Sequence, residues 1–353
     1  MIMTKPIISG VKDRCSKCSA CIRVCPVKAI KIIDGQVEIV DAGCIYCGRC
    51  LKVCAPEAIV MRQDDDLVKE WLVREEVVAI VASEIYAAFP GLTINSLRET
   101  LLDCGFYAVE ESILGEELVA KEYLAYIQRP AELPIIRSTC ASIVEMVEKY
   151  YPEFISNLAP IVSPMAAQAR LIKSLYQTST KVIYIGPCVA KKSEAQKLPD
   201  GVIDAVLTFK ELKSLIGRDS FNAYLNSQPD GGPYKYPMVA HNYAASDGFP
   251  REILQKNSLI DKSLIVSWGA DRTYKFMDRV SALKTTAKLF DLMACQGCID
   301  GPVMETEIML EERKRLTANY YHRIPKRSIA FESLKPSLPA VDLNASFSSQ
   351  KVE

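Results

Sequence analysis

Four cysteines spaced C-x-x-C-x-x-C-x-x-x-C occur twice near the start of the chain, and no other feature limits so tightly what it can fold into. The first set is Cys15, Cys18, Cys21 and Cys25, followed by Pro26; the second is Cys44, Cys47, Cys50 and Cys54. Every cysteine of the second set lies 29 residues after its counterpart, which marks an internal duplication. Three thiolates so close in sequence can cap three corners of one iron-sulfur cage only from a tight loop, while the fourth, on the following helix, points to the other cage. On this reading Cys15, Cys18, Cys21 and Cys54 hold one [4Fe-4S] cluster, and Cys25, Cys44, Cys47 and Cys50 hold the second. A pair of zinc knuckles is the alternative, but a three-cysteine run repeated twice exceeds what tetrahedral zinc sites use. Between the two sets, residues 29–40 are predicted to form a β-hairpin turning at Asp34-Gly35.

This arrangement resembles a bacterial-type ferredoxin, which joins its two cluster loops in the same way; the module is assigned to residues 1–65. The chain has 353 residues, 13 of them cysteines, and a body of this size needs no disulfide staples, so metal explains the cysteines better than cross-links do. Lys plus Arg and Asp plus Glu both number 43, so no long-range field attracts nucleic acid or an acidic membrane surface. Small molecules and proteins are the expected partners. No apolar run reaches the roughly 18 residues that span a bilayer, and Met1 to Gly10 lacks the apolar core of a secretory signal, so a cytoplasmic location is expected.

Five further cysteines, at positions 104, 140, 188, 295 and 298, are scattered along the rest of the chain. Cys104, in Leu-Leu-Asp-Cys-Gly-Phe at a helix end, reads as a packing residue. The other four do not. Arg137-Ser-Thr-Cys140 is a polar loop opening a helix with apolar positions at helical spacing, which puts this sulfur at a helix N-terminus. The strand Lys181 to Ile185 runs into Gly186-Pro187-Cys188, followed by Lys191, Lys192 and Glu194. The third segment, Leu292-Met-Ala-Cys295-Gln-Gly-Cys298-Ile-Asp-Gly301-Pro302, is again a strand ending in a glycine-bearing turn. Three strand-end loops delivering four thiolates make a buried site at the carboxyl edge of α/β layers, where such folds bind ligands.

These three segments resemble the signature loops of the [FeFe]-hydrogenase catalytic domain, and Ile203 to Leu212 matches a further part of it. The resemblance runs from about Glu75 to Leu316, behind the ferredoxin module that such enzymes commonly carry. It implies an H-cluster: a [4Fe-4S] cubane joined through one cysteine to a diiron centre bearing CO, cyanide and a bridging dithiolate. Cys140, Cys188 and Cys295 would then hold the cubane, and Cys298 would hold it and bridge to the diiron unit. Lys191 would donate to a cyanide, with Glu194 orienting it; an exposed i, i+3 helix pair is the plainer alternative. Ser83, after the strand Val77 to Val81, and Met165, after Ser163-Pro164, resemble residues that line the family's cluster pocket, although both are also ordinary strand-end and core residues.

The departures from the family pattern carry as much information. The family's proton-donating cysteine is Thr139 here, whose hydroxyl has no accessible pKa near neutrality. Tyr123, Tyr126 and Ala159 stand where two glutamates and a serine continue that proton path. Gly186 replaces a methionine, opening space beside the diiron unit. Together these features resemble the sensory branch of the family, which turns hydrogen over slowly. The last cysteine pair is C-x-x-C instead of the family's C-x-x-x-C, so either the loop relaxes around a complete H-cluster or the diiron half is altered or absent.

The resulting expectation is an α/β protein: the ferredoxin module at 1–65, a short charged link at Asp64-Asp65-Asp66, a layered α/β hydrogenase-like domain at 66–330 with its metal site between two lobes, and an irregular tail at 331–353. His241 and His322 lie in no ligand-like spacing. Two functions follow. One is a slow hydrogenase exchanging electrons with a soluble carrier and interconverting protons with H2; the other is a sensor whose signal leaves through a regulatory protein. An electron-transfer protein with a dead catalytic domain is the third.

Overall fold

The computed structural model describes residues 5–129, 134–176, 179–217, 263–280, 285–323, 339–350 and 352. His241 and part of the expected tail lie outside these residues, as does the side chain of His322.

The duplication is written into the backbone. Strands β1 (Ile8–Gly10) and β4 (Ile59–Met61) pair antiparallel, as do β2 (Ile30–Ile33) and β3 (Gln36–Ile39), the hairpin expected from the sequence. Asp34 and Gly35 take φ of 50° and 75°, the left-handed pair that a two-residue hairpin turn requires. Helices α1 (Ala20–Val24) and α2 (Arg49–Val53) follow the two cysteine loops at the same offset. Left-handed residues recur in step: Lys17 with Tyr46, Ser19 with Gly48, and Lys28 with Glu57. Even the sulfur contacts repeat, with the Ala29 N–H donating to Cys25 Sγ at 3.3 Å and the Ala58 N–H to Cys54 Sγ at 3.2 Å.

The larger body is built on two parallel sheets. One has the order β6 (Ala108–Glu111), β5 (Val77–Val81), β8 (Lys181–Ile185), β9 (Ala205–Leu207); the other has β10 (Leu264–Trp268), β11 (Leu289–Met293), β7 (Ile135–Ile136). β5 is five consecutive buried apolar residues, the pattern of a central parallel strand covered on both faces. Each of its valines and its isoleucine contributes about 1.5–3 kcal/mol of burial. The helices of this body include α3 (Asp65–Arg74), α4 (Ile85–Ala88), α5 (Ile94–Asp103), α6 (Ile113–Ile127), α7 (Ala141–Tyr150), which packs on β11 of the second sheet, α8 (Pro164–Leu175), α9 (Ala190–Lys197) and α10 (Phe209–Ile216). The chain continues through α11 (Ala270–Val280) and α12 (Leu310–Arg323). Segment 339–350 lies along α7 and α8, where the Val162 N–H donates to the Leu343 carbonyl and the Gln350 N–H to that of Glu148. No helix among the described residues is long and apolar enough to cross a membrane.

The ferredoxin module is docked, not tethered. Asp64 and Asp65, expected as part of a solvated link, are only 3% and 6% exposed. Asp64 is drawn in by Lys192 and Arg62, and Asp65 opens α3 and accepts from Ser214. Lys149 donates to the Cys44 carbonyl at 2.7 Å, the Tyr150 hydroxyl to the Gly43 carbonyl at 2.6 Å, and Arg49 pairs with Asp271.

Gly48 shows how close the docking is: a Cβ there would stand 2.5 Å from Pro302 Cγ. Its counterpart Ser19 holds the same left-handed conformation with a side chain, so the contact with Pro302, more than backbone strain, is what excludes one at position 48. Gly48→Ala should therefore destabilise the protein by about 1–3 kcal/mol, the usual cost of overpacking. Anaerobic thermal unfolding measures it, and an unchanged midpoint would mean that the module does not dock in this way.

Candidate metal centre

Both parallel sheets end at one place. β5 leads into Ser83 and Glu84, β8 into Gly186-Pro187-Cys188, β7 into Ser138-Thr139-Cys140, and β11 into the loop bearing Cys295 and Cys298. Parallel strands send all their carboxyl ends to the same edge, which is why loops far apart in sequence can meet there. Cys140 is the N-cap of α7, and Cys188 stands two residues before α9.

The four separated sulfurs share a neighbourhood. Burial pushes the Cys188 thiol up to about 11, with Cys140 adding to the effect. Cys295 is pushed well up by burial, then by Cys188, Cys140 and Cys47; Cys298 likewise, by burial and then by Glu84, Cys188, Cys140 and Cys295. Cys188, Cys295 and Cys298 each retain some exposed area although burial dominates their titration, as befits side chains lining an internal hollow. In the ferredoxin module Cys21 feels Cys54 and Cys15, whereas Cys44 and Cys50 feel Cys47 and Cys25. Cys54 is thus near the first loop and Cys25 near the second, while nothing among the described residues pairs Cys18 with another sulfur. Burial raises Cys44 to about 12 and Cys47 to about 11. The first set is shallower: Cys18 is exposed, and the N–H of Ala20 and the Ser16 hydroxyl lower its pKa.

Among the described residues, no three Cys, His, Asp or Glu side chains are close enough to hold a single metal ion. The sulfurs are grouped at looser spacing. Three sets of four soft donors, two aided by backbone N–H groups and one crowded into a desolvated hollow, suit polynuclear iron-sulfur cages, which take thiolates and spread their charge. The residues present therefore fit the groups that the sequence implies.

Around the third set, the Lys191 ammonium donates to Glu194 Oε2 at 2.5 Å and to the Thr139 carbonyl at 3.4 Å, so this pair is turned inward and is not an exposed helix pair. Burial works against the lysine's charge, but Glu194, Cys188 and Cys298 hold its pKa above the ordinary value. Ser163, the N-cap of α8, donates to the other oxygen of Glu194. Ser83 donates to Glu116 at 3.2 Å, and Met165 lies in an apolar cluster with Ile80, Ala82 and Tyr184. The fully buried Tyr123 shares a hydrogen bond of 3.0 Å with the Ser138 hydroxyl, and burial lifts its pKa. Tyr126 is half-buried under Arg129, and Ala159 is buried.

Position 186 differs from expectation. The room expected at Gly186 is taken by Tyr184, since a Cβ on the glycine would lie 2.6 Å from the tyrosine ring and 3.0 Å from its hydroxyl. Burial, then Glu84, Cys298 and Cys188, push the Tyr184 pKa well up, so its hydroxyl belongs to the site. Sequence reasoning missed this residue, although alternation along β8 places 184 and 186 on one face. It missed Glu84 as well, the neighbour of Ser83, whose carboxyl is raised by burial and faces Cys298.

A family model described as "Iron only hydrogenase large subunit, C-terminal domain" matches residues 75–302, and one described as "4Fe-4S dicluster domain" matches residues 7–55. Iron hydrogenase 1 of Clostridium pasteurianum is 23% identical over 266 residues, covering 63% of this chain and 45% of that protein. The NADP-reducing hydrogenase subunit HndD of Solidesulfovibrio fructosivorans is 25% identical over 221 residues, covering 58% of this chain and 35% of its own length. The chain thus spans less than half the length of these curated relatives. A glutamate-to-alanine variant of the [FeFe]-hydrogenase HydA1 from Chlamydomonas reinhardtii superposes with a TM-score of 0.64 at 17% identity, over 82% of this chain and all of that one. A structure of HydA(deltaEFG) from work on stepwise H-cluster assembly gives 0.64 at 18% identity with the same coverage.

Proposed function

The chain belongs to the iron-only hydrogenase family, and on that premise we propose that it binds two [4Fe-4S] clusters and an H-cluster, interconverts protons and H2 slowly, and acts in the cytoplasm of an anaerobe as a sensor of H2 or redox state. The observation that carries this reading is the convergence of Cys140, Cys188, Cys295 and Cys298 from two sheets.

Cys140, Cys188 and Cys295 would hold the cubane, and Cys298 would join it to the diiron unit. When bound, that cluster supplies the chemistry that combines protons and electrons. The chain's own residues do the rest. Lys191, held by Glu194, offers a donor to a cyanide; Glu84 and Tyr184 bring polar groups to an otherwise dry pocket. Cys47 influences Cys295, so the deeper ferredoxin set adjoins the site. Cys18 of the shallower set is exposed, and in the segment around it in sequence Lys12, Arg14, Lys17, Arg23 and Lys28 are exposed against the single carboxylate of Asp13. That basic face suits a soluble, acidic electron carrier.

Slowness follows from the proton side. Thr139 cannot relay a proton near neutral pH, and Tyr123, locked to Ser138 with a raised pKa, cannot replace a carboxylate. A protein that binds H2 without fast turnover is suited to signalling through a regulatory partner. A cubane without the diiron unit is the second reading, favoured by the shortened Cys295-Cys298 spacing. Anaerobically reconstituted protein supplied with the diiron unit should show CO and CN infrared bands. Their absence with all cubanes in place leaves only an electron carrier.

A further inference from the structure

Lys191 and Lys192 put two buried cations in the first turn of α9, where the positive end of the helix dipole works against them. Successive helical residues project about 100° apart, so the two side chains leave the helix on different sides. Lys191 turns to Thr139 and Glu194. Lys192, fully buried, turns away from the centre and donates to Asp64 Oδ2 at 2.8 Å, Glu211 Oε1 at 3.0 Å and the Val206 carbonyl at 2.5 Å. These partners use all three of its N–H bonds.

The partners are themselves held. Arg62 grips Asp64 through contacts of 2.8 and 3.2 Å. The Asp64 N–H donates to Glu211 Oε1 at 2.7 Å, while Glu211 Oε2 accepts from the Thr208 N–H and hydroxyl, both at 2.7 Å, as the capping box of α10. Two cations meet two anions, so the charge closes. A buried ionic cluster seldom adds net stability over an apolar one of the same shape. Apart from Arg62 Nη1, which has no hydrogen-bond partner among the described residues, the polar atoms of Lys192, Asp64 and Glu211 are matched, and a cluster so matched around Lys192 admits one arrangement and excludes others.

We propose that Lys192 is a positioning residue for the second cysteine loop: its clasp with Asp64 and Glu211 fixes the rotation of α9, and so the point that the Lys191 ammonium reaches, and ties that setting to the segment leaving the ferredoxin module. The inference rests on the reading that Lys191 faces a cyanide of the H-cluster. A shift of the ferredoxin module would be felt at Lys191 through Asp64, and breaking the clasp would free the lysine to wander.

The test uses the full chain, matured anaerobically, with the CN infrared bands as readout. Lys192→Met/Glu211→Gln removes one cation and one anion together and leaves Asp64 paired with Arg62; Asp64→Asn cuts the tie to the ferredoxin module alone. Both should displace the CN bands in the same direction as Lys191→Met but by less, at unchanged iron content, and should speed amide exchange in α9. Lys192→Arg, which keeps the charge, should retain most of the native band positions. CN bands at native positions in both clasp variants, while Lys191→Met moves them, would overturn the proposal and leave the H-cluster reading intact. If Lys191→Met leaves them in place, the reading of Lys191 fails instead. Failure of both clasp variants to fold would make the cluster a requirement of stability, and would also overturn a positioning role.

Discussion

Exchange of Cys298 for alanine should abolish both the CO and CN infrared bands and hydrogen evolution, while the ferredoxin clusters keep their paramagnetic signals. Among the four separated sulfurs, Cys298 is influenced by the carboxyl of Glu84 and by Cys188, Cys140 and Cys295. It is thus near both the other three sulfurs and a carboxyl, which agrees with the bridging role proposed for it. Changing a residue that merely supports a metal ligand costs about 10–100-fold in metal affinity or activity, and losing the ligand should cost more. The ferredoxin sulfurs form groups of their own and lose no ligand in this variant, although Cys47 lies near enough to Cys295 for its group to feel a change of charge there. Retention of the bands in Cys298→Ala would mean that the C-x-x-C loop delivers its bridge from another sulfur.

Thr139→Cys should raise hydrogen evolution by about 10-fold, below the ~10²–10⁴-fold that a positioned proton donor contributes, because only one station of the path is restored. The threonine is the residue before Cys140, and its carbonyl is held by Lys191, so its side chain starts from a fixed backbone. Further out, the Tyr123 hydroxyl and Ser138 remain locked together, which limits the gain. Thr139→Ala is the control. If the cysteine variant evolves hydrogen no faster than the alanine variant, proton delivery at this position does not limit the rate.

The sequence disclosed those parts of the site whose spacing is chemical. Eight cysteines repeated at a fixed offset admit few structures, and the hairpin between them carried its own turn signal in Asp34-Gly35. The four separated sulfurs drew notice because each stood in a loop that follows a short strand, and parallel strands bring such ends together. Contacts made only by packing were not legible. Nothing in Asp64-Asp65-Asp66 tells that the first aspartate will be buried against Lys192, more than a hundred residues away. Gly186 suggested open space, because a sequence shows the missing side chain and not the tyrosine that leans into its place. Glu84 was passed over because a carboxyl after a strand is ordinary until burial and a facing thiol make it unusual.

The crossed sulfur groups of the ferredoxin module set the order in which it can be made. Cys15 and Cys21 wait for Cys54, and Cys25 waits for Cys44, Cys47 and Cys50. At ~5–20 residues per second, the ribosome needs about 1–6 s to travel from the end of the first repeat to the end of the second. During that interval the nascent chain displays thiols that nothing in it can yet enclose. If these groups hold the clusters, neither cage can receive its fourth ligand until the second repeat has emerged, and the early thiols stay open to oxidants for that long.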